Sequence, residues 1–191
     1  MFKVSSSFIG SFKIGDNIHY NLDVLRALYV SMEGLPAHQK GFLEKPITVI
    51  LVSICEAIIY DFIGRSKLFT REGIDGLSSE DLEKLRNRNS YKMDKKIKLI
   101  EELNLLQTSD PNVYYYLGKL VTLRNRIHIQ NENQNLEIDE MNAFTVPRRV
   151  EAEKMLELLM KRLGTLYPRP PHIVMSQFVE DFELPWKAHF D

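Results

Sequence analysis

The chain has 191 residues, enough for one ordinary domain with a self-sufficient hydrophobic core. Its 44% hydrophobic and 27% charged residues are typical of globular proteins and exclude the disordered and collagen-like classes. Lys and Arg total 25 against 26 Asp and Glu, so the net charge of −1 excludes a uniformly basic nucleic-acid-binding protein. Any contact with nucleic acid must therefore come from a local cluster.

Cys55 is the single cysteine, which excludes an internal disulfide and a thiolate-rich metal site and fits a reducing compartment. Serines and glycines interrupt residues 1–15 before a signal-peptide core can form. The longest apolar run, residues 46–63, contains Glu56 and Asp61 and is shorter than the roughly 20 residues that a bilayer span needs. We expect a cytoplasmic protein without a membrane partner.

The N-terminal half predicts two helices. Residues 1–20 lack helical periodicity and predict an arm or a small hairpin. A first helix follows the capping residue Asn21 and stops before Gly34. Pro46 suits the first position of a second helix, which reaches Ile63 and is apolar nearly all round. Such a helix belongs at the centre of a bundle.

The C-terminal half predicts four further helices, one of them short, over residues 78–88, 93–106, 111–129 and 145–166. No alternation of strands and helices supports an α/β sheet. The sequence thus predicts an all-α helical bundle of about five main helices. Its divisions are an irregular N-terminal arm over 1–19, the bundle over 20–167 and a Pro-rich C-terminal arm over 168–191. We expect the C-terminal arm to dock through Phe178, Phe182 and Trp186.

The densest polar segment lies at the end of the predicted helix over residues 111–129. On an α-helix, Arg124 and His128 lie one turn apart on the same face, with Asn131 nearly in line and Asn125 beside them. These side chains are candidates for chemistry. The alternative is structural: Arg124 and His128 cap the helix end and pair with a carboxylate of the core.

Glu56 is the candidate partner, because a carboxylate within an apolar helix is costly unless it is paired. An Arg or His across the bundle would satisfy it, and a buried salt bridge that fixes helix register is as good an interpretation as a catalytic role. Asp61 is predicted near the helix end, facing solvent. The other four histidines, His19, His38, His172 and His189, are predicted at the surface.

One basic run stands out, since seven cations and one acidic residue, Asp94, occupy residues 84–98. Arg86, Arg88, Lys92 and Lys95 are candidates to contact RNA phosphates, and Tyr91 among them could stack on an unpaired base. The alternative is an ordinary solvated face. The sequence contains no P-loop, GxGxxG or HExxH pattern, so no cofactor and no metal site are expected.

Three segments resemble the core helices of HEPN domains. Residues 97–106, Asp110-Pro111 and the segment 123–128 with Arg124, Asn125 and His128 look like the two C-terminal helices of that family. The helix from 47 to 63 with Glu56 is similar to its earlier core helix, which commonly carries an acidic residue. The resemblance covers about residues 20–166.

HEPN domains are small all-α bundles of toxin-antitoxin, abortive-infection and CRISPR-associated defence systems, and many are ribonucleases. The resemblance implies metal-independent RNA cleavage, with His128 as general acid or base, Arg124 on the phosphate and Asn125 as an orienting group. Glu56 and Asn131 would support them. It also implies a homodimer, whose two copies line one cleft, and an antitoxin or other regulatory partner.

The spacing of the Arg and His residues departs from the family pattern. Three residues separate Arg124 from His128, where the family has four to six. Two hypotheses follow: a subgroup in which the helix brings the two side chains together, or an inactive helical module that dimerises or binds protein or RNA.

Overall fold

The computed structural model describes residues 1–68, 74–88, 92–127, 139–170 and 179–190. Within these ranges the chain is mainly helical, which confirms the all-α class. The helices are α1 (Phe12–Glu33), α2 (Ala37–Leu68), α3 (Ser79–Asn87), α4 (Met93–Glu102), α5 (Val113–Arg124), α6 (Glu140–Ala143) and α7 (Val146–Leu166). A 3-10 turn (Asn125–Ile127) follows α5, and two short strands are β1 (Phe2–Val4) and β2 (Phe182–Leu184).

Helix α2 forms the centre of the bundle, as predicted. Ile47, Leu51, Val52 and Ile58 are completely buried, and α2 packs against α1, α3, α4, α5 and α7. By length and composition α2 could also cross a membrane, and 61% of its most apolar stretch is buried inside the protein.

The predicted start of α2 at Pro46 is wrong, because the helix begins at Ala37 and Pro46 lies inside it. The carbonyl oxygen of Pro36 accepts the first bonds, from the N–H groups of Gln39 (2.9 Å) and Lys40 (3.1 Å). Glu44 is buried and ion-paired to Arg149 of α7 at 2.8 Å. This tertiary contact holds the helical turns that precede the proline.

The predicted start of α1 is also wrong, since the helix begins at Phe12 and the expected arm boundary at residue 19 falls within it. Gly15, Ile18, Leu22 and Leu25 are buried at three- and four-residue intervals. Of these four, only Gly15 and Ile18 precede residue 20, and only Ile18 has an apolar side chain, so periodicity alone was too sparse to detect the first turns.

Helices α3, α4, α5 and α7 follow the predicted segments. Ser78 caps α3, with its hydroxyl accepting the Asp81 N–H at 3.1 Å. Helix α4 ends at Glu102, four residues earlier than predicted, and Asn104 then adopts a positive φ of 45°.

The two arms pair with each other. β1 and β2 run antiparallel, with Phe2 opposite Leu184 and Val4 opposite Phe182. Phe8 and Phe182 are fully buried, and their ring centroids lie 6.3 Å apart. Trp186 is 7% exposed, so the prediction that the C-terminal arm docks is confirmed for these two aromatics, whereas Phe178 lies outside the described residues.

Asp61 does not face solvent, contrary to the prediction, and is only 4% exposed. Its carboxylate accepts the backbone N–H groups of Gly10 (2.6 Å) and Ser11 (2.9 Å). Burial raises the pKa of Asp61 to about 6, although these two bonds and the nearby Arg65 and Arg169 oppose the shift. The residue thus anchors the start of α1 onto α2, a long-range role that no local pattern reveals.

Candidate functional site

The centre of the candidate site is an ion pair between α2 and α5. Nε of Arg124 donates to Glu56 at 3.1 Å, and Nη2 donates to the second carboxylate oxygen. The side chain of Glu56 is 13% exposed and that of Arg124 is 29% exposed. The partner expected for Glu56 is therefore an arginine of the candidate site, held in a planar, two-point contact.

Arg124 reaches Glu56 because the buried face of α5 leads to it. Val113, Leu117 and Leu120 fix this face against the core. Arg124 lies on the next turn of the same stripe, where the helix ends. The stripe therefore changes from apolar to cationic at the border of the core.

The α-helical alignment used to place Arg124, His128 and Asn131 on one face does not continue through the segment. Helix α5 ends at Arg124 and a 3-10 turn follows, which advances about 120° per residue instead of 100°. Asn125 is exposed at the first position of this turn. His128 and Asn131 lie outside the described residues, so their proposed roles stay predictions.

A groove lies beside the ion pair, between α2, α4 and the end of α3, and its volume is about 460 Å³. It is lined by Ile63, Arg88, Lys95, Lys96, Lys98, Leu99 and Glu102. Four cations thus surround an apolar floor, with a single carboxylate among them. We call this feature the cationic groove.

Lys96 connects the cationic groove to the ion pair. Its ammonium lies 4.4 Å from the ring centroid of Tyr60, which is 57% exposed on α2. Desolvation and repulsion from Lys67 lower the pKa of Lys96, while the Glu56 carboxylate raises it. Through its contact with Tyr60, one turn after Glu56 on α2, Lys96 links the groove to the part of the helix that carries the ion pair. We call the groove and the pair together the charged face.

The four predicted RNA contacts separate into two groups. Arg86 is committed to the fold, because its Nε donates to the Ser66 carbonyl at 2.9 Å near the end of α2. Arg88 lines the groove but is ion-paired with Glu102. Lys92 and Lys95 are exposed at the start of α4, and of these two only Lys95 lines the groove. Tyr91 lies outside the described residues.

Tyr60 and Lys67 are the site residues that sequence reasoning missed. They continue the polar stripe of α2 that begins at Glu56, four and eleven residues further on. This spacing keeps all three on one side of the helix. Lys67 lies beyond the predicted end of the helix at Ile63, and among the polar residues within the predicted helix only Glu56 and Asp61 were considered.

A second polar cluster, also missed, holds the C-terminal arm against α7. Glu153, 3% exposed, accepts bonds from Tyr29, Arg149 and the ring of His189, the last at 2.9 Å. The prediction of a surface position is wrong for His189, whose side chain is only 20% exposed. This cluster closes the bundle at the end where α7 begins.

Glu157 extends the same cluster by one turn of α7. The completely buried carboxylate accepts the N–H groups of His189 (2.9 Å) and Phe190 (3.0 Å), and Lys161 at 3.0 Å. Burial raises the pKa of Glu157, but these three donors outweigh burial and lower the pKa overall. The bonds explain why a charged carboxylate is tolerated in the core.

Within the described ranges, no three His, Cys, Asp or Glu side chains lie close enough together to hold a metal ion. Comparisons of the chain with models of protein families, with curated proteins and with solved structures found no match. Its function is therefore inferred from the geometry of the charged face.

Proposed function

We propose that this protein is a metal-independent endoribonuclease of the HEPN toxin or defence type. The observation that carries the proposal is the position of the Arg124–Glu56 pair beside the cationic groove. An arginine fixed by a carboxylate is a suitable holder for one phosphate, and the lysines of the groove are suitable neighbours for the phosphates next to it.

In the proposed reaction the RNA 2'-hydroxyl oxygen attacks the adjacent phosphorus. The new O–P bond closes a 2',3'-cyclic phosphate, and the bond from phosphorus to the 5'-oxygen of the next nucleotide breaks. The 2'-hydroxyl loses one proton and the departing 5'-oxygen gains one. His128 transfers one of these protons and water transfers the other, since a histidine titrates near neutral pH.

Arg124 stabilises the charge that develops on the phosphate oxygens. Glu56 acts through Arg124 as a positioning residue, because its two-point contact fixes the plane of the guanidinium. Three N–H bonds of that guanidinium are not used in the contact through Nε and Nη2, so Arg124 can hold Glu56 and a phosphate together. Asn125 follows directly and is exposed, which suits an orienting contact to the RNA.

The ion pair also favours a second candidate, a non-catalytic helical module that binds a protein or RNA. Arg124 directs two of its donors to a carboxylate of the core, as a brace between α2 and α5 would. In this alternative the charged face binds a partner, such as an antitoxin or another regulatory protein, and no bond is broken.

The homodimer stays a prediction of both candidates. Tyr115, Tyr116 and Ile127 are exposed along α5, the helix that carries Arg124, and the turn after it. A two-fold axis here would bring two copies of Arg124 to one cleft. Light scattering at micromolar concentration should give the mass of a dimer, and a monomer would contradict the composite site.

The decisive experiment compares His128→Ala with His38→Ala, a matched change at an exposed histidine at the start of α2. We expect the purified wild type and His38→Ala to cleave single-stranded RNA with or without a chelator. We expect His128→Ala to lose cleavage and keep its melting temperature, because a general acid or base is needed only in the reaction. Arg124→Ala should also lose cleavage, whereas Arg162→Ala, at an exposed arginine of α7, should not.

Absence of cleavage by the wild type, combined with a lower melting temperature for both His128→Ala and Arg124→Ala, would overturn the ribonuclease. The non-catalytic module would then take its place.

A further inference from the structure

Tyr60 occupies an unusual position for an aromatic residue of a core helix. Its neighbours along α2 are largely buried, yet the Tyr60 side chain is 57% exposed. It lies one turn after Glu56 and about one turn before Ile63, which forms part of the floor of the cationic groove. The ring therefore stands between the ion pair and the groove.

One face of the Tyr60 ring already carries a positive charge. The Lys96 ammonium lies 4.4 Å from the ring centroid, and Lys96 also lines the cationic groove. Aromatic rings that border a cationic channel are the standard stacking platforms for unpaired bases, because every base offers a π-face. Tyr60 is 57% exposed, so part of its ring is accessible to a base.

The groove has the size and charge for a single strand. About 460 Å³ is the volume of a site for a nucleotide-sized group and is far too small for a duplex. Among the residues that the structure describes, Lys95 and Lys98 form no ion pair, so both are available to phosphates. The floor of Ile63 and Leu99 is apolar and buried, which suits a base or ribose better than a second charge.

We propose that the cationic groove and Tyr60 together bind single-stranded RNA, with a base stacked on Tyr60 and the flanking phosphates on Lys95 and Lys98. This inference rests on the proposed function and assigns the residues that hold its unpaired RNA substrate.

The test uses the His128→Ala protein, so that binding is measured without cleavage. The probes are a short fluorescein-labelled oligouridine, the same oligomer with abasic sites, and an RNA duplex, each followed by fluorescence anisotropy. We expect oligouridine to bind at least tenfold more tightly than the duplex or the abasic oligomer, since stacking on one aromatic contributes roughly tenfold or more.

Substitution of Tyr60 then assigns the stacking. Tyr60→Ala should weaken oligouridine binding roughly tenfold and leave abasic binding unchanged, while Tyr60→Phe keeps the ring and should bind as the parent does. Tyr20→Ala is the matched control, because Tyr20 is 70% exposed on α1. Circular dichroism should show the same helix content in all variants. Equal oligouridine affinity for Tyr60→Ala and Tyr60→Phe would overturn the inference.

The outcome is separable from that of the proposed function. If the wild type cleaves RNA but binds it equally well without the Tyr60 ring, the stacking site is wrong and the ribonuclease proposal stands. If RNA binding depends on Tyr60 but the protein cleaves no RNA, the ribonuclease proposal is wrong and the single-strand binding site stands.

Discussion

Glu56 and Arg124 couple the central helix to α5 through a two-point ion pair at the edge of the core. Removing either partner leaves the other charge partly buried, so Glu56→Ala and Arg124→Ala should each lower the free energy of unfolding by about 1–3 kcal/mol. The double variant should lose less than the sum, and urea unfolding of all four proteins measures the coupling. Additive losses would mean that the pair contributes nothing to stability.

Reversal of two groove charges should weaken RNA binding without unfolding the protein. Lys95→Glu with Lys98→Glu removes two phosphate contacts, so RNA affinity should fall. The slope of the logarithm of affinity against the logarithm of salt concentration should decrease by the equivalent of about two contacts. The control pair is Lys13→Glu with Lys40→Glu, on α1 and the start of α2. Equal salt dependence of RNA binding in the two double variants would show that the groove lysines form an ordinary solvated surface.

Asp61 should make the protein more stable in mild acid. Its pKa is about 6 in the folded state, against an ordinary value of 3.8 in the unfolded chain. Between these values the folded state binds more protons, so this group raises the free energy of unfolding as pH falls from 7 to 4, by about 2–3 kcal/mol. Asp61→Asn should lack this contribution.

The measurement for Asp61 is urea unfolding of the wild type and Asp61→Asn at several pH values between 4 and 7. The difference in free energy of unfolding between the two proteins should change across this range in favour of the wild type at low pH. A difference that stays constant with pH would show that Asp61 does not titrate there.

Glu157 should have the opposite pH dependence. Its pKa is lowered in the folded state, so the stability that it contributes is present above the ordinary carboxylate pKa and is lost as the pH falls through the folded value. Glu157→Gln places an NH₂ group against one of the N–H donors of His189 and Phe190, and should cost about 1–3 kcal/mol at pH 7. Thermal unfolding at pH 7 checks the cost, and Glu151→Gln on the same helix is the control.

Two glycines should respond in opposite directions to alanine. A Cβ on Gly15 would lie 2.7 Å from Cγ1 of Val179, so Gly15→Ala should destabilise the protein by about 1–3 kcal/mol through overpacking. A Cβ on Gly118 would meet no atom within 4 Å, so Gly118→Ala in α5 should stabilise by about 0.5–1 kcal/mol. Melting temperatures check both, and a rise for Gly15→Ala would contradict the close packing of the C-terminal arm on α1.

The elements that the sequence predicted correctly are those whose signals are local. Ser78 predicts the start of α3 because its side chain caps the helix, and Pro147 with Thr145 predicts the start of α7. The start of α1 could not be predicted in this way, because Asp61 and Val179, both distant in sequence, hold its first turns. The start of α2 was wrongly predicted at Pro46 for the same reason, because the turns before it are held by the ion pair between Glu44 and Arg149 of α7.

The candidate site was predicted in part. Periodicity placed Arg124 at the edge of the core, and the free-energy cost of burying the Glu56 carboxylate indicated a cationic partner. Tyr60 was missed because a single aromatic in an apolar helix has the same pattern as a core residue. Its exposure depends on where α4 packs, which one sequence does not reveal.

The pairing of β1 with β2 fixes when folding can finish during synthesis. Val4 pairs with Phe182, and Phe8 packs on Phe182, so Val4 and Phe8 wait during synthesis for a partner that is far later in the chain. At about 5–20 residues per second the delay is roughly 10–40 s. Helices α1 to α7 precede β2 and can form within that time, while Phe8 lacks its aromatic partner and its apolar surface stays uncovered until Phe182 has been synthesised.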